Sequence, residues 1–339
     1  MAEYDLLLQG GSLYDPADKS IRPGDLAVKA GRLAKKAEHI PAESAQTVVD
    51  AAGCVISPGL IDLHCHIFPV FPYPREDSLR TTNAEEHMFR CGVTTAVDAG
   101  TCGWRNFGDF KEHVIDRTKL RVLAFLDIAA KGMHYTDSEQ SVADINPKIA
   151  AAVAQEWSSV IVGIKSAHYW ARHEDAEHPA FASIDGAREA AALSGKIVMV
   201  DSIPIPPERS YPAILARLAP GDIHTHVFAQ QFPLLDEQGK VYDYMWKERE
   251  RGVRFDVGHG SGSFWFRQAV GCLEQGFWPD TISTDLHHQN VTGPVIDLLY
   301  VMSKFYAMGM PLEEVLYRAT RAPALAVSHP ELGTLEEGA

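Results

Sequence analysis

The sequence predicts an α/β protein: a (β/α)8 barrel, the TIM-barrel architecture, with a small β-sandwich-like accessory domain formed mainly by the N-terminal segment. Three observations predict it. From Val55 onward, short apolar runs alternate with helical patterns, as in a parallel sheet with helical crossovers. Residues 1–54 read instead as short strands broken by turn residues. The 339 residues suffice for one barrel of about 250 residues plus a small unit.

In chain order, Asp5–Gln9, Asp25–Lys29 and Thr47–Asp50 are the N-terminal strands, punctuated by Gly10-Gly11, Asp15-Pro16 and Gly31. Eight barrel strands follow: Leu60–Leu63, Thr94–Asp98, Val122–Asp127, Val160–Lys165, Ile197–Asp201, Ile223–His226, Arg254–Val257 and Thr281–Asp285. Helices are expected between them at Ala84–Arg90, Pro147–Trp157, Asp185–Ser194, Phe264–Gln275 and Pro294–Met308. The division is an accessory domain over 1–54, with 330–339 returning to it, and a barrel over 55–329. No repeat or low-complexity tract stands out.

The net charge of −14 argues against a nucleic-acid or anionic-membrane partner, since the summed field would repel both. A small molecule is the expected partner, and a homo-oligomer stays open. The five cysteines are odd in number and unclustered, which favours buried free thiols in a reducing compartment over a disulfide framework. No basic segment followed by an apolar core opens the chain, and no apolar run approaches the roughly 18 residues of a membrane span. A cytoplasmic location is expected.

His64-Cys65-His66 closes an apolar stretch that begins at Val55. Alternate residues on a strand share a face, so both imidazoles converge beyond the strand end while Cys65 turns away. Two of 15 histidines fall at this spacing by chance often enough that the pair alone says little. The flanking Pro58-Gly59-Leu60-Ile61-Asp62 adds specificity, and Pro58 to His66 resembles the PGLIDxHxH signature of the amidohydrolase superfamily, metal-dependent hydrolases built on a barrel.

Barrel enzymes place their chemistry at the C-terminal ends of the strands. The fourth strand ends in Lys165, either a solvated lysine or, once carboxylated by carbon dioxide, an anionic oxygen ligand. The resemblance implies the carboxylated form. The sixth strand carries Gly221-Asp222 and Thr225-His226, similar to the family's GDxxTH segment, which makes His226 a metal ligand; His224 lies deeper on the same face as a packed or hydrogen-bonded residue. Asp285 on the eighth strand matches the family's metal-binding aspartate, which also shuttles the proton as the catalytic residue.

The fifth strand departs from the pattern. The resemblance implies a histidine there, yet Asp201 stands at its end. A carboxylate is a competent zinc ligand, so two cations held by His64, His66, Lys165, Asp201, His226 and Asp285 are favoured. The alternative is one cation on His64, His66, Lys165 and Asp285, with Asp201 orienting water or substrate.

Further blocks, including Gly92-Val93-Thr94-Thr95 with Asp98-Ala99-Gly100, Phe255 to Phe264 and Pro279 to His287, narrow the resemblance to dihydroorotase-like amidohydrolases of the deacetylase type. The glycines around His259 let backbone approach a ligand. His259 is a substrate-binding residue or a loop histidine held by hydrogen bonds. Tyr169 and Arg172, in the loop after Lys165, are further substrate-binding candidates, whereas His287 and His288 read as residues behind the ligands or in the loop rather than as ligands. The resemblance also implies C-terminal strands beyond Ala339 that complete the β unit.

The resemblance therefore implies a hydrolase in which metal-activated water cleaves an amide or ester bond, with deacylation of an N-acyl amino acid or O-acyl hydroxy acid as the leading case. Its cofactors are two divalent metal ions, zinc foremost, and carbon dioxide as the Lys165 carboxylate. The alternatives are a cyclic amidase of the dihydroorotase or hydantoinase kind, a lactonase, and a non-catalytic barrel that serves as a binding scaffold.

Overall fold

The computed structural model describes residues 2–69, 81–134, 136–169, 178–204 and 209–339. The chain divides into two compact units, Met1–Ile61 with Gly309–Ala339, and Asp62–Met308.

The first unit is built on a five-stranded sheet. In it β1 (Tyr4–Asp15) runs antiparallel to β2 (Ser20–Lys29) and parallel to β4 (Ala45–Asp50) and the short β5 (Val55–Ile56), while β3 (Arg32–Ala37) lies outside β2. The sequence expectation lacks β3, because Arg32, Lys35 and Lys36 mask its alternation; cations of this kind are common on edge strands. Both faces of the sheet are covered. Tyr4, Leu7, Ala27 and Ile40 pack on one side, and Leu26, Ala51, Ile56 and Leu335 on the other, because neighbours such as Leu26 and Ala27 point to opposite faces.

The unit boundaries differ from the sequence division at residues 54 and 330. Helix Leu312–Ala319 belongs to the first unit because Tyr14, fully buried, donates its hydroxyl to the Glu313 carbonyl at 3.0 Å and Lys19 pairs with Glu314 at 2.9 Å. At the end of the chain, Gly338 N donates to Leu33 O and Leu33 N donates to Ala339 O.

The second unit contains a seven-stranded parallel sheet in chain order: β6 (Leu60–Cys65), β7 (Val93–Gly103), β8 (Arg121–Asp127), β9 (Ile161–Ser166), β10 (Ile197–Val200), β11 (Ile223–His224) and β12 (Arg254–Phe255). Every residue of β6 and β9 is buried, as expected where helices cover a parallel sheet. The strand expected over Thr281–Asp285 is not a continuous ladder, since Asp285 takes a left-handed φ of 52° that interrupts the pleat. That segment nonetheless bridges to Asp256 through Thr281 and to Cys65 through Leu286, both in parallel sense.

Connecting helices include α1 (Ala84–Met88), α2 (Phe107–Phe110), α3 (Thr136–Gln140), α4 (Pro147–Glu156), α5 (Ala182–Ser194), α6 (Tyr211–Arg217), α7 (Asp243–Arg251), α8 (Phe266–Glu274) and α9 (Leu298–Ala307). Capping sets two of the starts. Asn146 accepts from Ile149 N at 3.1 Å ahead of Pro147, and Asp297 accepts from Tyr300 N at 2.8 Å, so α9 begins after the expected Pro294. Among the described residues no helix is long and apolar enough to cross a membrane. All five cysteines are free; Cys54 corrects the expectation of burial, since it is exposed beside β5, whereas the other four are buried.

Candidate metal centre

The end of β6 presents His64 and His66 side by side, their rings 5.4 Å apart and nearly perpendicular, while Cys65 points its Sγ to the Val97 carbonyl. Asp285 reaches the same point from the segment beside β6: its Oδ1 lies 3.6 Å from His64 Nε2 and 3.1 Å from His66 Nε2. One ligand atom from each of the three residues lies within 4.8 Å of the others, a spacing that can hold a divalent cation.

A second group adjoins it. Lys165 Nζ stands 3.2 Å from Asp201 Oδ2, and His226 Nε2 lies 3.6 Å from the same oxygen. The His64 and His226 rings are 4.9 Å apart, which joins the two groups. Lys165 is fully buried, and its stem passes so close to Gly100 that a Cβ there would lie 2.6 Å from Lys165 Cγ.

His226 and Asp285 have φ of 59° and 52°, a region side chains adopt sparingly, and such outliers persist where surrounding structure holds them. A Cβ on Gly260 would meet Asp285 Oδ2 at 2.5 Å, so glycine is needed for that approach.

Among the described residues, five buried atoms of this cluster have no hydrogen-bond partner: His64 Nε2, His66 Nε2, Lys165 Nζ and both carboxylate oxygens of Asp201. Lys165 and Asp201 are at ion-pair distance without the alignment of a hydrogen bond. Buried polar atoms seldom go unpaired, and here they converge from both groups, so the residues fit bound cations. Their electrostatics agree. Burial, followed by the charge on Lys165, holds His64 well below the usual imidazole range and therefore in the neutral, ligating form. Burial opposes ionisation of Asp285, but the contact with His66 and the nearby histidines hold it down at about 2. Asp201 is likewise held low against its burial, first by Lys165.

Buried carboxylates stand behind the candidate ligands. Asp62 accepts from the Thr284 hydroxyl and backbone N–H, and burial pushes it up to about 7. Asp98 and Asp256 accept hydroxyl hydrogen bonds from Thr101 and Thr225, whose oxygens also touch the two histidines. Asp127, at the end of β8, has an unpartnered buried Oδ2. Sequence reasoning assigned none of Asp98, Asp127 and Asp256. The strand-end rule that singled out Lys165 would also have reached Asp127.

The other candidates fare differently. Tyr169 is buried and donates its hydroxyl to the Pro179 carbonyl at 2.9 Å. Arg172 lies outside the described residues. His259 is buried, stacked on Phe264 at 4.4 Å, with Nδ1 against Gly260 O and Nε2 against Lys304 Nζ at 2.8 Å, so both nitrogens are engaged within the protein. Burial lowers its pKa to about 4. His224 packs among Tyr211, Phe232 and Phe255 with neither ring nitrogen partnered.

No family model matches the chain. A deacetylase of Brucella anthropi is 33% identical over 284 residues, covering 82% of this chain and 68% of the relative. Among solved structures, an adenine deaminase superposes with a TM-score of 0.85 at 28% identity, covering 99% of this chain and 88% of the other. A dihydroorotase superposes with a TM-score of 0.79 at 28% identity, covering 97% and 86%.

Proposed function

The chain belongs to the amidohydrolase superfamily and is a hydrolase of its carbon–nitrogen type, and from that premise we propose a metal-dependent deacylase of small N-acyl amino acids or O-acyl hydroxy acids. The observation that carries this reading is the convergence of unpartnered buried atoms from His64, His66, Lys165 and Asp201 beside Asp285. On this reading the bridges through Thr281 and Leu286 close the parallel sheet into an eight-membered barrel, with the cluster at the C-terminal ends of its strands.

His64, His66 and Asp285 would hold one divalent cation and Asp201 with His226 a second, zinc suiting the mixed nitrogen and oxygen donors. Lys165, carboxylated by carbon dioxide, would bridge them. Bound cations of this kind bring water to ionisation near neutral pH and polarise a carbonyl. The ionised carboxylate of Asp285 accepts the proton of the attacking water and returns it to the leaving nitrogen or oxygen. His64, kept neutral by burial, and the other candidate ligands fix the geometry, and no side chain needs to form a covalent intermediate.

The test is a metal count on purified protein together with a panel of acylated acids, esters, lactones, cyclic amides and adenine. Deacylation that chelation abolishes and zinc restores is the expected result. Ring opening alone would favour the cyclic-amidase reading suggested by the dihydroorotase likeness. A metal-free, stably folded chain without hydrolysis would leave a scaffold.

Asp201 is the position expected to set substrate preference. A carboxylate in place of a neutral imidazole adds a negative charge beside the cations, which retains the second cation and disfavours an anionic substrate group there. Asp201→His should lower occupancy of the second position and shift preference toward more anionic acyl acids. Metal content and relative kcat/KM across the panel check this, and identical values in both proteins would overturn it.

A further inference from the structure

We infer that two threonine–aspartate pairs, Thr225 with Asp256 and Thr101 with Asp98, are positioning residues that dictate which nitrogen of His64 and His66 is offered to a cation. The inference deepens the metal-centre reading and rests on it for its functional meaning. The chemistry starts from the single proton of a threonine hydroxyl. Thr225 Oγ1 lies 2.7 Å from Asp256 Oδ2 and 2.8 Å from His64 Nδ1. A carboxylate only accepts, so the hydroxyl proton goes to Asp256 and the hydroxyl oxygen is left to accept from the imidazole. His64 must then carry its proton on Nδ1.

The surroundings of Asp256 support its acceptor role. It also receives the Thr281 hydroxyl at 2.6 Å and the Ser283 hydroxyl at 2.7 Å, while Ser283 accepts from Gly258 N at 2.9 Å and so has its proton free for the carboxylate. The second pair repeats the logic from a different strand. Asp98 accepts from the backbone N–H groups of Ile67 and Thr101, each at 2.9 Å, and from the Thr101 hydroxyl at 2.8 Å. Thr101 Oγ1 then lies 2.8 Å from His66 Nδ1 and accepts from it.

Both histidines are thereby locked as the Nδ1–H tautomer, with the lone pair on Nε2. Neither Nε2 has a hydrogen-bond partner among the described residues, and both face Asp285 Oδ1. The opposite tautomer would take the hydroxyl proton away from a fully buried carboxylate and aim an N–H at the cation position. The glycine at 258 protects one pair: a Cβ there would stand 2.3 Å from Thr225 Oγ1 and 2.9 Å from His64 Nδ1.

The test begins with metal-free protein. Imidazole nitrogen NMR should show His64 and His66 protonated on Nδ1 and bare on Nε2. Thr225→Val and Thr101→Val, which remove the hydroxyl at nearly constant volume, should each weaken zinc binding by about 10- to 100-fold, and Thr→Ser at either site should restore it. Nε2–H histidines in the parent, or valine variants that bind zinc as tightly as the parent, would overturn the inference. If a valine variant does not fold, the parent spectrum still decides. Nδ1–H histidines in a parent that neither takes up zinc nor hydrolyses any substrate would leave the tautomer assignment standing and remove the metal-dependent reading instead.

Discussion

Asp285→Asn is expected to lower kcat by about 100- to 10,000-fold, the range for losing a positioned general acid–base group. Asparagine keeps the shape and one carbonyl oxygen but cannot take a proton from water at neutral pH. The substitution is informative because asparagine, like aspartate, tolerates the left-handed backbone found here at φ 52°, so the fold should survive. Kinetics would be read beside metal content and melting temperature. A variant with parent-level turnover would refute the proton-transfer role, and one that fails only through metal loss would restrict Asp285 to ligation.

Lys165→Ala should have the other large effect: loss of bound metal, a fall in activity of at least about 100-fold, and partial recovery of both on adding a short-chain carboxylic acid that fills the vacated space. The structure sharpens this test. Lys165 Nζ lies 3.2 Å from Asp201, in a setting with no solvent exposure of the lysine side chain. As a free ammonium it is the counter-charge of Asp201, and deleting one partner of a buried pair costs about 3–5 kcal/mol. As a carboxylate it would repel Asp201 unless a cation lies between them. Rescue by acetate or propionate therefore supports the carboxylated bridge, whereas rescue by a small primary amine points to the ammonium. Two metals retained per chain in the alanine variant would end the bridging role.

Much of this centre was legible because its information is local. The period-two alternation of β6 places His64 and His66 on one face whatever surrounds them, and the resemblance to the amidohydrolase pattern, read at the strand ends, pointed to Lys165, His226 and Asp285, with Asp201 where that pattern has a histidine. Element edges were less legible. The charged edge strand β3 lacks apolar alternation, helix α6 is only seven residues long, α7 is dominated by charged residues, and α9 starts where Asp297 caps it rather than where its apolar run begins. His259 was a fair substrate candidate from its glycine-rich loop, but Lys304, distant in sequence on α9, occupies its Nε2.

By itself, then, the sequence determined the alternating α/β architecture, the superfamily and the strand ends that carry the candidate ligands, since each is written in patterns a few residues long. Tertiary structure alone decided that Asp201 faces both Lys165 and His226, that Thr225 and Asp256 stand behind His64, and that residues 309–339 pack with the N-terminal unit. His64 and Thr225 are separated by 161 positions and stand near opposite ends of the strand order, and their 2.8 Å contact exists only because the sheet curls to bring the two strand ends together. Periodicity says which way a side chain points; the register and curvature of the assembled sheet decide what it meets there.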